Sequence, residues 1–247
     1  DADVIKTALA LTNNPRRKAE KYHIVGELED AASLEAATLV GRDEAHWVLG
    51  DDLIGRITVQ SCRQSGLSVV YSELLDFDGD EIYFTEQPSL YGKTYFDAQL
   101  AFVDCTVMGL VKAGSVILNP AADTHYESGD QLIVIAEDDS VLNSAPRSAA
   151  TVDRSCITGA PVTPERASKA LVLGWNERAA TVVSELDNYA APGSTLEILT
   201  EYGTPDVPEL VNLTATVAHG RTSERATLDR YAMRDYDQVI VLCYSDQ

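Results

Sequence analysis

Basic residues are what this chain of 247 residues is short of: 19 lysines and arginines stand against 39 aspartates and glutamates, a net charge of −20. Nucleic acid and anionic membrane both demand a basic footprint, so neither is expected as the main partner. Aromatic residues make up 7% of the chain and fall irregularly, which argues against a stacking platform for single strands. No run of about 18 apolar residues is present to span a bilayer, and no signal peptide is recognisable. The chain as given is expected to be soluble and not to insert into a membrane itself.

Cysteine is equally scarce. Cys62, Cys105, Cys156 and Cys243 are scattered without a C-x-x-C pair, and each falls in or beside an apolar run. Buried thiols in a reducing compartment are expected, not disulfides or a zinc knot. The four histidines, His23, His46, His125 and His219, show neither H-x-x-x-H nor H-E-x-x-H spacing, and no G-x-S-x-G elbow exists. No catalytic residue is therefore expected. His23 and His46 sit at strand starts, where structural histidines are common.

What is present is enough apolar material to build cores: 45% of the residues are hydrophobic, and the length suits one large or two small domains. Residues 1–67 alternate in the α/β manner. DVIKTALAL (3–11) is a helical stripe, YHIVGEL (22–28) a buried type of strand, and DAASLEAATLVG (30–41) a helix with Asp30 as N-cap and Gly41 just past its end. HWVLG (46–50) is a short strand, and DDLIGRITVQSCRQSG (51–66) a helix with acids in its first turn. This order belongs to a parallel sheet, yet the early strands are missing, so the chain is expected to begin inside a domain.

Residues 68–142 change character. SVVYSELLDF reads as a short helix and EIYFTE (81–86) as a strand, followed by a turn and short helix over 90–102. Residues 105–120 read as two strands joined at Ala113-Gly114, and a Ser-Gly-Asp turn feeds a β-branched strand within 126–138. The result is an α+β module. Residues 143–167, rich in Pro, Ser, Ala and Thr, read as a linker. The α/β rhythm then returns: KALVLG, a helix over 176–190, strands TLEILTE (195–201) and LTATVAHG (213–220), a helix over 222–232 and a last strand in YDQVIVLCY (236–244). The expected fold class is thus α/β, with two incomplete Rossmann-like lobes (1–67 and 168–247) flanking a complete β-rich module (68–142).

The stretch KALVLGWNERAATVV (169–183) resembles a dinucleotide-binding loop with part of its fingerprint erased. The G-x-G-x-x-G/A positions hold Gly174, Asn176 and Ala179. The second glycine is the one that lets the backbone approach a pyrophosphate, whereas the third serves helix–strand packing. The position lost is the ligand's and the position kept is the fold's. Glu201, at the end of the second strand, stands where a ribose hydroxyl could be contacted, but an exposed strand-end acid is the commoner explanation. The loop is expected to keep a scaffold, with no NAD or other nucleotide in it.

The acid excess offers two further candidates. In VGELED (25–30), Glu27 and Glu29 are two apart at the carboxyl end of a strand, so both face one way, at the edge where open α/β sheets bind ligands. Two convergent carboxylates repel unless a cation or proton neutralises them, and Ca2+ takes oxygen ligands of this kind. Two readings stand side by side: a metal pair, or solvated acids that cap the next helix. DFDGDE (76–81) imitates an EF-hand head with Asp76, Asp78 and Asp80 at positions one, three and five. Glu81 then replaces the needed glycine and Gln87 the bidentate glutamate, so an acidic turn is the simpler explanation. EDD (137–139) is a solvated strand exit.

Taken in order, the 81–138 module with its SGDQLIVIAEDD ending, DDLIGRITVQSCRQSGL, APGSTLEIL, YDQVIVLCYSD and KALVLGW resemble the cytoplasmic RCK (TrkA-N/TrkA-C) region of the CASTOR and POLLUX family of ion channels and its bacterial relatives. The resemblance covers nearly the whole chain. It implies a cytoplasmic gating-ring region on the inner face of the cell membrane, self-assembled as a tetramer or a ring of eight lobes, linked to a pore domain upstream and doing no chemistry. The Glu27-x-Glu29 pair is similar to the calcium site of calcium-gated RCK domains, whose third carboxylate would fall near or before Asp1. Ca2+ is the effector this implies. The competing readings are a nucleotide-binding regulatory subunit of a Trk-type potassium transporter and, further off, an NAD(P)-dependent oxidoreductase.

Overall fold

The computed structural model describes residues 1–142, 154–156, 159 and 166–244; most of the stretch read as a linker lies outside the described residues. The fold is mixed α/β, with parallel sheets and flanking helices, as the sequence implies. The chain divides into two compact units, one made of Asp1–Ser65 with Thr163–Gln247 and the other of Gly66–Val162.

In the first unit, β1 (Ile24–Leu28) and β2 (Ala45–Leu49) pair in parallel. Helix α1 (Ala2–Thr12) packs on α2 (Leu34–Gly41), which follows a turn of 3-10 helix capped by the Asp30 carboxylate accepting from the Ala32 amide at 2.8 Å. A second parallel sheet has the order β10–β7–β8–β9: Gln238–Val241, Lys169–Leu173, Ser194–Thr200 and Leu213–His219. Strand β7 is almost wholly apolar and buried, as expected of a strand covered on both faces.

One face of that sheet is covered by α6 (Ala179–Tyr189) and by α3 (Gly50–Arg63), the helix that follows β2. Val59 of α3 is fully buried in the same core as Val172, Val182, Val183, Leu196 and Ile198. Gly55 makes this approach possible, because a Cβ there would stand 2.9 Å from the Thr181 methyl. The two α/β stretches, far apart in sequence, therefore share one core. On the other face, Leu228, Tyr231 and Tyr236 lie against Leu171, Leu173 and Leu199.

That covering explains a departure from expectation. The helix expected over 222–232 is only α7 (Arg225–Leu228), because the chain must turn to lay Leu228, Tyr231 and Tyr236 on the sheet. Helix α6 also starts three residues later than the pattern suggests, for a reason that belongs to the glycine loop. Cys62 and Cys105 are half-buried, and burial pushes both thiols up. Cys156 and Cys243 are exposed, which corrects the expectation that all four are buried: an apolar neighbourhood in sequence did not become one in space.

The second unit holds α4 (Leu67–Leu75), α5 (Tyr95–Gln99) and an antiparallel sheet of order β3–β6–β4–β5: Glu81–Thr85, Gln131–Ala136, Cys105–Lys112 and Ser115–Leu118. Ala113 and Gly114 both take positive φ, 49° and 77°, in the two-residue hairpin between β4 and β5. Helix α5 begins with a reciprocal capping box between Thr94 and Asp97. Tyr95, Tyr126, Leu110, Leu132 and Val134 form the core.

One polar staple closes this unit. The nearly buried Asp130 carboxylate accepts from Lys112 Nζ at 2.6 Å and from the Glu127 amide at 2.9 Å, while Lys112 also reaches the His125 carbonyl at 2.8 Å. The hydrogen bond to Asp130 holds the Lys112 pKa above its usual value, so the lysine's share of this link is present at neutral pH and is lost as pH rises through that raised value. Asp130→Ala should cost about 2 kcal/mol by removing the charged partner of Lys112 and leaving the Glu127 amide without its acceptor. Faster amide hydrogen exchange along β4 and β6 than in the wild type would register it.

Candidate functional site

The glycine loop between β7 and α6 is packed, not open. Gly174 has φ +96°, and a Cβ there would stand 2.2 Å from the Leu242 carbonyl oxygen. Its amide donates to the Leu199 carbonyl at 2.8 Å, and the Leu242 amide donates to Leu173. The first glycine of the fingerprint is thus required by the close passage of the chain leaving β10. At the second position, the Asn176 side-chain oxygen accepts from the Arg178 amide at 3.1 Å, and its nitrogen stands 3.6 Å from Cys243 Sγ. This Asx turn holds residues 176–178 out of the helix and delays α6 to Ala179. Ala179 itself is fully buried, consistent with a packing role for the third position.

Glu201 follows β8. Its carboxylate stands 3.4 Å from the Arg221 guanidinium, and its amide donates to the Tyr244 hydroxyl, which also meets Thr222 at 3.2 Å. Each of the three residues expected at a nucleotide site therefore has a contact within the protein.

Glu27 and Glu29 lie at the carboxyl end of β1 as the two-residue spacing requires, and both line a cavity of about 610 Å3 in the first unit. Its other wall is built by a part of the chain about 130 residues away: Glu177 and Arg178, ahead of α6, face Asp51 and Asp52 in the first turn of α3. Arg178 Nε donates to Asp51 at 2.6 Å, and Arg56 Nε to Asp52 at 2.7 Å. Glu27 and Glu29 have no ion-pair partner among the described residues. The amides of Glu29 and Asp30 donate to the Asp1 carboxylate at 2.9 and 3.0 Å. Gly50 leaves room for the Glu27 carboxylate, whose Oε1 would stand 2.8 Å from a Cβ at that position.

Hard oxygen donors of this kind suit Ca2+. Among the described residues, no group of three or more His, Cys, Asp or Glu side chains is gathered closely enough to hold a metal ion. Glu27 and Glu29 thus line one cavity, in which Asp51 and Asp52 are ion-paired with Arg178 and Arg56. Asp76, Asp78 and Asp80 lie in the turn between α4 and β3. The Asp78 amide approaches Asp76 Oδ1 at 3.4 Å, and the Gly79 amide donates to the Asp76 carbonyl at 3.2 Å. Gln87 is used elsewhere, its amide nitrogen donating to the Leu142 carbonyl at 2.6 Å. Sequence reasoning missed Asp51, Asp52, Glu177 and Arg178 as cavity residues, and no local signal could have joined them across that separation.

A glycine-looped parallel sheet, and a separate antiparallel module whose SGD turn leads into its central strand, define an RCK-type fold. The chain aligns with the human SLO3 gating ring over 91% of its own length and 50% of that chain, at a TM-score of 0.62 and 12% identity, a likeness of fold alone. Residues 51–152 match the family described as "Castor and Pollux, part of voltage-gated ion channel". Over 98% of its length the chain is 30% identical to the "Probable ion channel CASTOR" of Oryza sativa subsp. japonica and 28% identical to the "Probable ion channel POLLUX" of the same plant. The resemblance read from the sequence is borne out: in this stretch the chain is a relative of the CASTOR and POLLUX channels. It spans 28% and 26% of the length of those two relatives. No helix among the described residues is long and apolar enough to cross a membrane.

Proposed function

We propose that this chain is the ligand-sensing regulatory region of a CASTOR/POLLUX-like cation channel, lying on the cytoplasmic side of the membrane and assembling as a tetrameric gating ring. The observation that carries the reading is the match across 98% of the chain to channel relatives of which it spans less than a third. A pore would then belong to the rest of such a protein. An effector that binds one conformation of the ring better than another shifts the population between them, and this differential affinity is the whole of the available work.

Ca2+ is the proposed effector, held in the acidic cavity by Glu27 and Glu29, with Asp76, Asp78 and Asp80 a lesser option in the other unit. The net charge of −20 raises the local concentration of any cation. The glycine loop, with Asn176 folded into it and Gly174 pressed on Leu242, acts in this reading as scaffold, and no catalytic step is assigned. Isothermal titration of the chain with Ca2+ should give saturable heat, and Glu27→Gln with Glu29→Gln should remove it. Absence of heat, or heat unchanged by the double substitution, rejects the calcium assignment while leaving the channel reading in place.

A further inference from the structure

Two histidines that the acidic cavity and the glycine loop leave unused stand side by side. His23 immediately precedes β1 and His46 lies within β2; their ring centres are 5.1 Å apart, with the planes tilted by 45°. Both are exposed, on the face of the β1–β2 pair that also carries the exposed Val25 and Val48. His46 is the register partner of Val25, so two hydrogen-bonded strands fix the positions from which both imidazoles project.

The spacing fits an ordinary ring contact and also fits a shared ion. A zinc–nitrogen bond of about 2.0–2.1 Å puts the ion roughly 3 Å from each ring centre, and a tetrahedral angle then separates the two centres by about 5 Å. That is the separation observed. Imidazole nitrogen suits borderline d-block ions, while Ca2+ demands oxygen, so this pair and the acidic cavity select different metals. We infer that His23 and His46 form a two-ligand site for a d-block dication of the zinc class, with water filling the remaining positions. No third His, Cys, Asp or Glu joins them among the described residues. A four-ligand structural site locks its metal in; two ligands on an open sheet face make an exchangeable one. The inference stands apart from the calcium reading.

Titration of the chain with Zn2+ in a non-chelating buffer, followed by calorimetry, tests it. One site is expected, and the imidazole NMR signals of His23 and His46 should shift together as it fills. His23→Ala and His46→Ala should each weaken binding at least about tenfold, the lower limit for disturbing even an outer-shell partner. His23→Gln should do the same while keeping a polar side chain on the strand. His125→Ala, and Glu27→Gln with Glu29→Gln, should leave the affinity unchanged. No heat at millimolar Zn2+, or wild-type affinity in both histidine variants, would reduce the pair to an ordinary ring contact and overturn the assignment.

Discussion

Gly174→Ala should destabilise the first unit by roughly 2–5 kcal/mol, the sum of a side chain forced to positive φ and an overpacked contact. The methyl group has nowhere to go: it meets the Leu242 carbonyl at 2.2 Å, and that carbonyl belongs to a backbone whose amide is already tied to Leu173. Relief would require β10 to slide from β7. Both tryptophans, Trp47 and Trp175, lie in the first unit, so urea unfolding followed by tryptophan fluorescence reads this unit alone. An unchanged midpoint would mean that Gly174 is present for something other than the passage of residue 242.

Asp187→Ala should cost about 1–3 kcal/mol, the range for leaving a buried hydrogen-bond donor without its acceptor. Asp187 is nearly buried at the end of α6 and accepts three backbone amides, Val211 and Asn212 at 2.9 Å and Leu213 at 2.7 Å. It thereby fixes the loop that delivers β9 to the sheet, and alanine would leave the buried Leu213 amide without its acceptor. Desolvation by burial pushes this carboxyl's pKa up, but the three amides outweigh it and the net value lies below the ordinary one. The sign follows from that direction. The stabilisation is complete above the ordinary aspartate value and is lost as pH falls through the depressed one. Fluorescence-detected unfolding at neutral and acid pH should show the wild type and Asp187→Ala converging in acid. A constant difference at all pH values would contradict the assigned role.

Much of the architecture is legible in local pattern. The buried run Ala170–Leu173, the alternation in Glu81–Thr85 and the Ala113-Gly114 hairpin each state their element without tertiary help. What stays hidden is what depends on distant partners. Helix α7 is cut short because Leu228, Tyr231 and Tyr236 are wanted on the sheet, and helical propensity yields to that burial. The delayed start of α6 rests on one side-chain oxygen, that of Asn176. The candidate site divides in the same way. Glu27 and Glu29 follow from strand periodicity, while the wall opposite them exists only because α3 and α6 share a core through Val59 and Gly55. No feature of either stretch by itself announces that pairing.

The same division separates the fingerprint positions of the glycine loop. Gly174 is pressed on the Leu242 carbonyl and Ala179 is buried in the core, so two of the three fingerprint positions have packing roles within the fold. Asn176 closes the remaining position upon itself.

Currents recorded from a full-length channel containing this region, with Ca2+ varied on the side that bathes it, test the proposed function most directly. The account predicts an open probability that changes with Ca2+ in the wild type and is flat in the protein carrying Glu27→Gln and Glu29→Gln. A wild-type channel indifferent to Ca2+, or a doubly substituted one that responds as the wild type does, would contradict it.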